Sequence, residues 1–213
     1  MAKDFMLLFD LDGTIWDSAQ EVAESWTVVM QKYHPELPIL TASDINAVMG
    51  QTMDDIAKNI LTDMDPEERG SLFKECEMYE VEYIAEHGGT LYPDVEETLK
   101  KLEAAGYKMA IVSNCQKGYI DAFFQSMKMK KYFCDMEEWG NTKLSKAENI
   151  RLVMERNGFE KAVYIGDTER DQQAAKGAGI PFIHASYGFG RSVEPEGIVK
   201  SFAEIPACVE QIF

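Results

Sequence analysis

The fold of this chain is decided by the stretch Phe5-Met6-Leu7-Leu8-Phe9-Asp10-Leu11-Asp12-Gly13-Thr14. Its apolar half predicts a buried strand, and its glycine predicts the turn that ends the strand. Asp10 and Asp12 then lie at the carboxyl end of the strand, which is the edge where open α/β sheets bind ligands. Two carboxylates there suit one hard cation and one nucleophile, although a pair of acids in an ordinary loop is the alternative.

Further apolar runs predict the remaining strands of a sheet, at residues 108–113, 132–136, 162–167 and 181–185. Continuous apolar runs are typical of parallel strands that are buried on both faces. Amphipathic helices lie between the runs, for example from Asp94 to Ala105. We therefore expect an α/β fold with a doubly wound, Rossmann-like parallel sheet.

The segment from about residue 18 to residue 89 carries no convincing strand. Ser18-x-x-Glu21 has the spacing of a capping box, and Asp65-Pro66 is typical of a helix start. The helix that follows has a stripe that we interpret as core, formed by Leu72, Phe73, Cys76, Tyr79, Tyr83 and Ile84. We expect a small α-helical domain at residues 17–89, inserted after the first strand into a core of residues 1–16 and 90–213.

Three polar clusters accompany the other predicted strands. Ser113-Asn114 follows the second strand, and Gly166-Asp167-Thr168-Glu169-Arg170-Asp171 follows the fourth. Lys146 lies in Ser145-Lys146-Ala147-Glu148, whose spacing predicts a capping box at a helix start. Because parallel strands end at one edge, we expect all three clusters to lie beside Asp10. Taken alone, the first cluster could be a helix cap, the second a set of surface acids, and Lys146 a solvated lysine. These alternatives do not explain why all three occur in this order along the chain.

Four motifs carry a resemblance that covers essentially the whole chain: Phe9-Asp10-Leu11-Asp12-Gly13-Thr14, Ile111-Val112-Ser113-Asn114, Lys146, and Gly166-Asp167-Thr168-x-x-Asp171. In this order they resemble the motifs of the haloacid-dehalogenase-like hydrolase superfamily, in its phosphoglycolate-phosphatase-like branch. The helical insert is similar to the small α-helical cap of that family. The resemblance implies a phosphatase that hydrolyses a small phosphate monoester.

The resemblance also implies roles for the acidic residues. Asp10 is expected to attack phosphorus and form an aspartyl-phosphate, and Asp12 to act as general acid and then general base. Asp10, Asp167 and the backbone carbonyl of Asp12 are expected to bind Mg²⁺, which prefers oxygen ligands. Asp171 is expected to orient those ligands.

The remaining expected roles concern the phosphoryl group. Lys146 is expected to contact both Asp10 and the phosphoryl oxygens as a point charge. The Ser113 hydroxyl and backbone N–H groups near Asn114 offer further hydrogen-bond donors to phosphate. Lys143 stays an alternative to Lys146, because the sequence reads Thr142-Lys143-Leu144-Ser145-Lys146 where the family often has Lys-Pro. Val48-Met49-Gly50-Gln51-Thr52 resembles the family's loop that faces the site, and a simple turn between two helices is the alternative.

Composition limits the partners of this protein. The 213 residues carry a formal net charge of −16, which disfavours nucleic acid and anionic membranes. The four cysteines form no Cys-x-x-Cys pair, so a zinc site is not expected. With no charged leader and no apolar stretch of about 20 residues, we expect a reduced, cytoplasmic protein that acts as a monomer on a small phosphorylated metabolite.

Three other functions fit parts of the sequence. Asp10, Asp12 and Glu21 have the spacing of a calcium-binding loop, but Ile15 stands where that loop needs glycine. A non-catalytic phospho-acceptor or phosphate-sensing protein would also use a strand-end aspartate, a hydroxyl and a lysine, but it needs neither Asp12 nor a helical insert. A sugar-phosphate mutase of the same superfamily shares every motif.

Overall fold

A computed structural model describes residues 3–212 of the chain. Residues 1, 2 and 213, which end the two expected core segments, lie outside the described residues. The strands are β1 (Met6–Phe9), β2 (Trp16–Asp17), β3 (Thr90–Leu91), β4 (Lys108–Ser113), β5 (Asp135–Glu138), β6 (Ala162–Gly166), β7 (Phe182–Ala185) and β8 (Gly197–Val199). The helices are α1 (Ala19–Tyr33), α2 (Ala42–Asn46), α3 (Met53–Ile60), α4 (Pro66–His87), α5 (Val95–Ala104), α6 (Tyr119–Met127), α7 (Trp139–Thr142), α8 (Lys146–Arg156), α9 (Glu169–Ala178) and α10 (Ile205–Ile212).

Six of these strands form one parallel sheet in the order β5-β4-β1-β6-β7-β8. The expected doubly wound, Rossmann-like sheet is thereby confirmed. β1 lies between β4 and β6, with Phe9 opposite Ile111 on one side and Ile165 on the other. The carboxyl ends of these three strands therefore meet at one point of the sheet edge, which is what the site requires.

Both faces of the sheet are covered, which explains the continuous apolar runs. Leu7 and Phe9 pack into the larger hydrophobic cluster, to which α5, α6 and α10 contribute. Met6 and Leu8 point to the opposite face and pack with the apolar residues of α8 and α9. All four residues of β1 are fully buried, because successive side chains enter two different cores.

Two details of the predicted sheet are wrong. The strand expected at residues 132–136 lies at Asp135–Glu138, because Lys130–Tyr132 forms a 3₁₀ turn and the apolar Tyr132 and Phe133 are buried outside the sheet. The sixth strand, Gly197–Val199, was not predicted from the sequence. Only three residues long and opening with glycine, it gives too weak an apolar signal.

The four helices α1 to α4 form a segment that we call the helical insert, residues 19–87. The two connections to the sheet pair with each other as the antiparallel strands β2 and β3. Asp65 accepts hydrogen bonds from the amides of Glu67 and Glu68, which confirms the predicted start of α4. The capping box predicted at Ser18 is wrong, since its hydroxyl caps no helix and donates to Asp12 instead.

Two further findings concern the chain as a whole. All four cysteines are free; Cys76 and Cys115 are buried, Cys208 is half-buried and Cys134 is exposed. Among the helices of residues 3–212, none combines the length and apolar character needed to cross a membrane.

Candidate active site

Three buried carboxylates form an acidic cluster, which consists of Asp10, Asp167 and Asp171. One oxygen of each lies within 4.8 Å of an oxygen of the other two. Asp10 follows β1 and Asp167 follows β6, so the parallel pairing of these strands brings the two together. Asp171 reaches the same point from the first turn of α9. The structure thus unites the expected nucleophile with two carboxylates that the fourth motif supplies.

The ammonium of Lys146 lies between two members of the acidic cluster. Its Nζ donates to Asp10 Oδ1 at 2.9 Å and to Asp171 Oδ1 at 2.6 Å, and the side chain is 4% exposed. Burial alone would lower the pKa of Lys146, but Asp10 and Asp171 together raise that pKa well above its usual value. The capping box between Ser145 and Glu148, confirmed in the structure, fixes the first turn of α8 from which this lysine extends.

Lys143, the alternative lysine, lies elsewhere. It is exposed, and its Nζ lies 3.5 Å from the centre of the Trp139 ring. It makes this contact from a left-handed backbone conformation at the end of α7, with φ at 58°. Of the two lysines, the structure brings only Lys146 to the acidic cluster.

The acidic cluster holds more negative charge than Lys146 balances. Burial, with the charge of Asp171, raises the pKa of Asp10 to about 7 against the opposing effect of Lys146. Burial, with the charges of Asp171 and Asp10, raises the pKa of Asp167 to about 8. Asp167 Oδ1 is buried without a hydrogen-bond partner, while Oδ2 accepts from the amides of Phe189 and Gly190. Surplus charge and an unpaired carboxylate oxygen fit a divalent cation with oxygen ligands.

The turn after β1 passes close to this cluster. Gly13 has φ of 78°, and a Cβ built on it would lie 2.4 Å from Asp167 Oδ2. A larger residue would therefore displace a carboxylate of the cluster as well as strain the turn. The glycine of the first motif is required both by the turn and by this close approach.

Asp12 points away from the acidic cluster. Its Oδ1 accepts hydrogen bonds from Trp16 Nε1 at 2.9 Å, Ser18 Oγ at 2.7 Å and Tyr119 Oη at 2.9 Å. Burial raises the pKa of Asp12, and these three donors oppose the rise. All three bonds end on one oxygen, so Oδ2 is free of them and can exchange a proton. The side chain lines the cavity described below, beside Asp10.

The second motif lies on the other side of Asp10. Ser113 ends β4, is 4% exposed and lines the same cavity. Asn114 Nδ2 donates to the carbonyl of Gly50 at 3.0 Å, so this side chain joins the sheet edge to the helical insert. The Val48–Thr52 loop carries Gly50, and four of its residues line the cavity: Val48, Met49, Gly50 and Gln51.

The cavity between the sheet edge and the insert has a volume of about 40 Å³. Its far side holds residues that the sequence did not single out: Trp26 and Glu80 from the insert, and Gln116 and Tyr119 from the sheet side. Trp26 Nε1 donates to Glu80 Oε2 at 2.6 Å. Burial raises the pKa of Glu80 well above its usual value, and the bond from Trp26 opposes this.

A sequence signal for Glu80 existed. The buried face of α4 consists of Leu72, Phe73, Cys76, Glu80 and Ile84. Glu80 therefore stands four residues from Cys76 and four from Ile84, in line with an apolar stripe. The predicted stripe took Tyr79 and Tyr83 instead, and this was wrong for Tyr83, whose hydroxyl donates to Glu24 at an exposed position. A charged residue at core spacing is the pattern that would have identified Glu80 from the sequence.

Comparisons with known proteins agree with this geometry. The family model of haloacid dehalogenase-like hydrolases matches residues 7–185. Phosphoglycolate phosphatase of Salmonella typhimurium is 30% identical over 92% of this chain and 89% of its own length. The enzyme of the same name from Escherichia coli K12 is 27% identical over the same shares.

Solved structures show the same fold. A predicted phosphoglycolate phosphatase from Haemophilus somnus superimposes with a TM-score of 0.84 at 22% identity, over 97% of this chain and 99% of that one. CbbY from Rhodobacter sphaeroides, in complex with xylulose-(1,5)bisphosphate, has a TM-score of 0.80 at 17% identity, over 95% and 96% of the two chains. At these identities the likeness concerns the fold alone.

Proposed function

Since this chain belongs to the haloacid dehalogenase-like hydrolase family and is a phosphoric monoester hydrolase, we propose that it cleaves a small phosphate monoester with Mg²⁺, through an aspartyl-phosphate on Asp10. One observation carries the proposal. Three buried carboxylates and one buried lysine converge where adjacent parallel strands end, beneath a helical insert. A phosphate-sensing protein does not need Asp12 or the insert.

In the proposed reaction Asp10 and Asp12 divide the chemistry. An oxygen of the Asp10 carboxylate forms a bond to phosphorus while the bond from phosphorus to the leaving oxygen breaks. Protonated Asp12 gives its proton to that leaving oxygen, and the alcohol departs. Asp12 then takes a proton from water, whose oxygen attacks the same phosphorus. The bond to Asp10 breaks, which releases inorganic phosphate and restores the Asp10 carboxylate and protonated Asp12.

The negative charges of a carboxylate and a phosphate monoester repel each other, so the site must neutralise them. Asp10, Asp167 and the backbone carbonyl of Asp12 would hold Mg²⁺. When bound, the ion supplies positive charge to the phosphoryl oxygens. Lys146 holds Asp10 in place and adds a second positive charge, and Asp171 keeps that lysine oriented. Ser113 and the backbone amide of Asn114 would donate to the phosphoryl oxygens.

The helical insert is proposed to act as a cap domain of residues 17–89 over a catalytic core of residues 1–16 and 90–213. Opening would admit substrate, and closure would exclude water and strengthen the electrostatic interactions inside. The contact between Asn114 and Gly50 supports this role, because it joins the two parts over the site. We propose that the protein acts as a cytoplasmic monomer on a small phosphorylated metabolite, without nucleic acid or membrane.

The test is turnover of an aryl phosphate with Mg²⁺ and with a chelator. We expect release of inorganic phosphate only with Mg²⁺, and a transient phosphoryl group on Asp10 detectable by mass spectrometry. A phosphoryl group on another residue, or full activity with the chelator, would contradict the mechanism. Conversion of a sugar phosphate into an isomer without phosphate release would identify a mutase instead.

Cation binding can be measured separately from activity. Mg²⁺ should raise the thermal unfolding midpoint, since a ligand at about 100 times its Kd stabilises the folded state by about 2.7 kcal/mol. Asp167→Asn should remove this rise, because it neutralises a carboxylate with an unpaired oxygen. The exposed Asp63→Asn is the matched control and should keep it. An equal rise in both variants would exclude Asp167 as a ligand.

A further inference from the structure

The side of the cavity that the insert forms carries an acid. We call Trp26 and Glu80 the insert wall, since both extend from helices of the insert into the cavity. Glu80 is 3% exposed and is fixed by the 2.6 Å hydrogen bond from the Trp26 indole. Because Asp10 and the wall line the same cavity, the leaving group of a phosphate ester with its phosphorus at Asp10 would extend into the space that the wall borders.

The cavity has no basic side chain to balance this acid. Of the seventeen residues that line it within residues 3–212, none is lysine, arginine or histidine. A carboxylate or a second phosphate on the leaving group would meet Glu80 without a cation, at a high desolvation cost. Even a protonated Glu80 would only share its proton with such a group, and the buried negative charge would stay uncompensated.

Beside Glu80 lies a hydrogen-bond donor with spare capacity. The Gln116 side chain is 4% exposed; burial raises the pKa of Glu80, and a hydrogen bond from Gln116 opposes that rise. Apart from Glu80, Gln116 Nε2 has no hydrogen-bond partner, so one of its two N–H groups is available to a ligand. Glu80 and Gln116 thus offer an acceptor and a donor next to each other, one from the insert and one from the sheet side. A hydroxyl can donate to the first and accept from the second, whereas an ammonium cannot accept.

We propose that the leaving group of the substrate is an uncharged, hydroxyl-bearing alcohol, and that Glu80 and Gln116 bind its hydroxyl and select against a carboxylate. This inference rests on the proposed function, because it assumes that the phosphoryl group lies at Asp10. The bound hydroxyl would connect the insert to the sheet side and so favour the closed arrangement. Selection of this kind is strong where a buried polar pair is left unmatched by the wrong substrate.

Three matched esters test the proposal: 2-hydroxyethyl phosphate, 2-phosphoglycolate and 2-aminoethyl phosphate. They differ only in the group that would reach Glu80, which is a hydroxyl, a carboxylate or an ammonium. For each ester we would measure kcat/KM and its inhibition constant against an aryl phosphate. The hydroxyl ester should have a kcat/KM at least about tenfold higher, and an inhibition constant at least about tenfold lower, than the carboxylate ester, with the ammonium ester between them.

Two variants test whether Glu80 and Gln116 cause the preference for the hydroxyl ester. Glu80→Gln keeps the shape of the side chain and removes its charge, so it should narrow the hydroxyl-to-carboxylate ratio by at least about fivefold. Gln116→Leu should weaken the hydroxyl ester selectively. Glu82→Gln, an exposed change of the same charge on the same helix, is the matched control and should leave the ratio unchanged. Inhibition by inorganic phosphate should be unaltered in all three, which verifies that the phosphate site is folded.

The outcomes separate this inference from the proposed function. Failure to hydrolyse even the aryl phosphate would overturn the proposed function. Hydrolysis of the aryl phosphate with preference for 2-phosphoglycolate, or with no inhibition by the hydroxyl ester, would overturn the inference alone. A ratio that Glu80→Gln and Glu82→Gln change equally would also overturn it, because the selection would then depend on overall charge.

Discussion

The acidic cluster, through Asp10, and the insert wall line one cavity, yet they are built differently. The cluster lies at the ends of paired strands, where main-chain hydrogen bonds and one capping box hold Asp10, Asp167 and Lys146. The wall depends on the packing of α1 against α4, with Trp26 edge-on to Phe73 at 5.0 Å. The first arrangement serves chemistry that is common to all phosphate esters, and the second can vary with the leaving group.

This comparison makes a general prediction about variants. Changes in the acidic cluster should reduce turnover of every ester by the same factor, because the phosphoryl group is common to all. Changes in the insert wall should alter the ranking of esters. A variant of the acidic cluster that alters the ranking of esters, or a variant of the insert wall that slows all esters equally, would contradict this division of roles.

The largest effect is expected for Asp10→Asn. Loss of the nucleophile should lower kcat by about 10³-fold or more for all three matched esters, with no change in their ranking. The fold should be retained, since the substitution removes one of three crowded negative charges. Steady-state kinetics measure the loss of kcat, and thermal unfolding measures whether the fold is retained. More than about a tenth of the normal rate would exclude Asp10 as the nucleophile.

Asp12→Ala should have the next largest effect, about 10²-fold or more in kcat. With a good leaving group the aspartyl-phosphate should accumulate, because the water that hydrolyses it lacks a base. Magnesium affinity should persist, since the expected ligand is the backbone carbonyl of this residue. Rapid quenching measures the accumulated aspartyl-phosphate, and calorimetry measures the magnesium affinity. Collapse of magnesium affinity would mean that the Asp12 side chain is a ligand.

Lys146→Ala and Lys143→Ala are expected to differ in kcat. Lys146→Ala should reduce kcat by about 10- to 100-fold, because Asp10 loses its only ionic partner among residues 3–212. Lys143→Ala should change kcat less than about twofold, since it removes an exposed contact with Trp139. Steady-state kinetics of both variants under the same conditions decide between the two lysines. The reverse ranking would assign the role to Lys143.

Among the residues whose side chains contact Asp10 or Asp12, Ser18 is expected to give the smallest effect when it is replaced by alanine. Asp12 Oδ1 would keep the bonds from Trp16 and Tyr119 and lose only the one from Ser18. We expect a loss of about 3- to 10-fold in kcat, the equivalent of one hydrogen bond, with the ester ranking unchanged. A shift in ranking would show that the hydroxyl acts on the leaving group rather than through Asp12.

Local sequence determined the sheet and the position of its polar residues. Phe5 to Phe9 predicts a doubly buried strand, and the alternation of its residues between two cores explains why. The helix starts at Asp65 and Ser145 followed from side chains that cap their own backbone. These predictions succeeded because the interactions concerned span at most a few residues.

Tertiary structure decided what depends on partners distant in sequence. The Ser18 hydroxyl donates to Asp12 instead of capping its own helix, because folding offers it a half-buried carboxylate as a stronger acceptor. The choice between Lys146 and Lys143 follows from where α8 begins relative to β1. The meeting of Glu80, Trp26 and Gln116 depends on two helices and a loop that approach only in the folded chain. Residue spacing determines which face of a helix is buried, but only packing determines what that face meets.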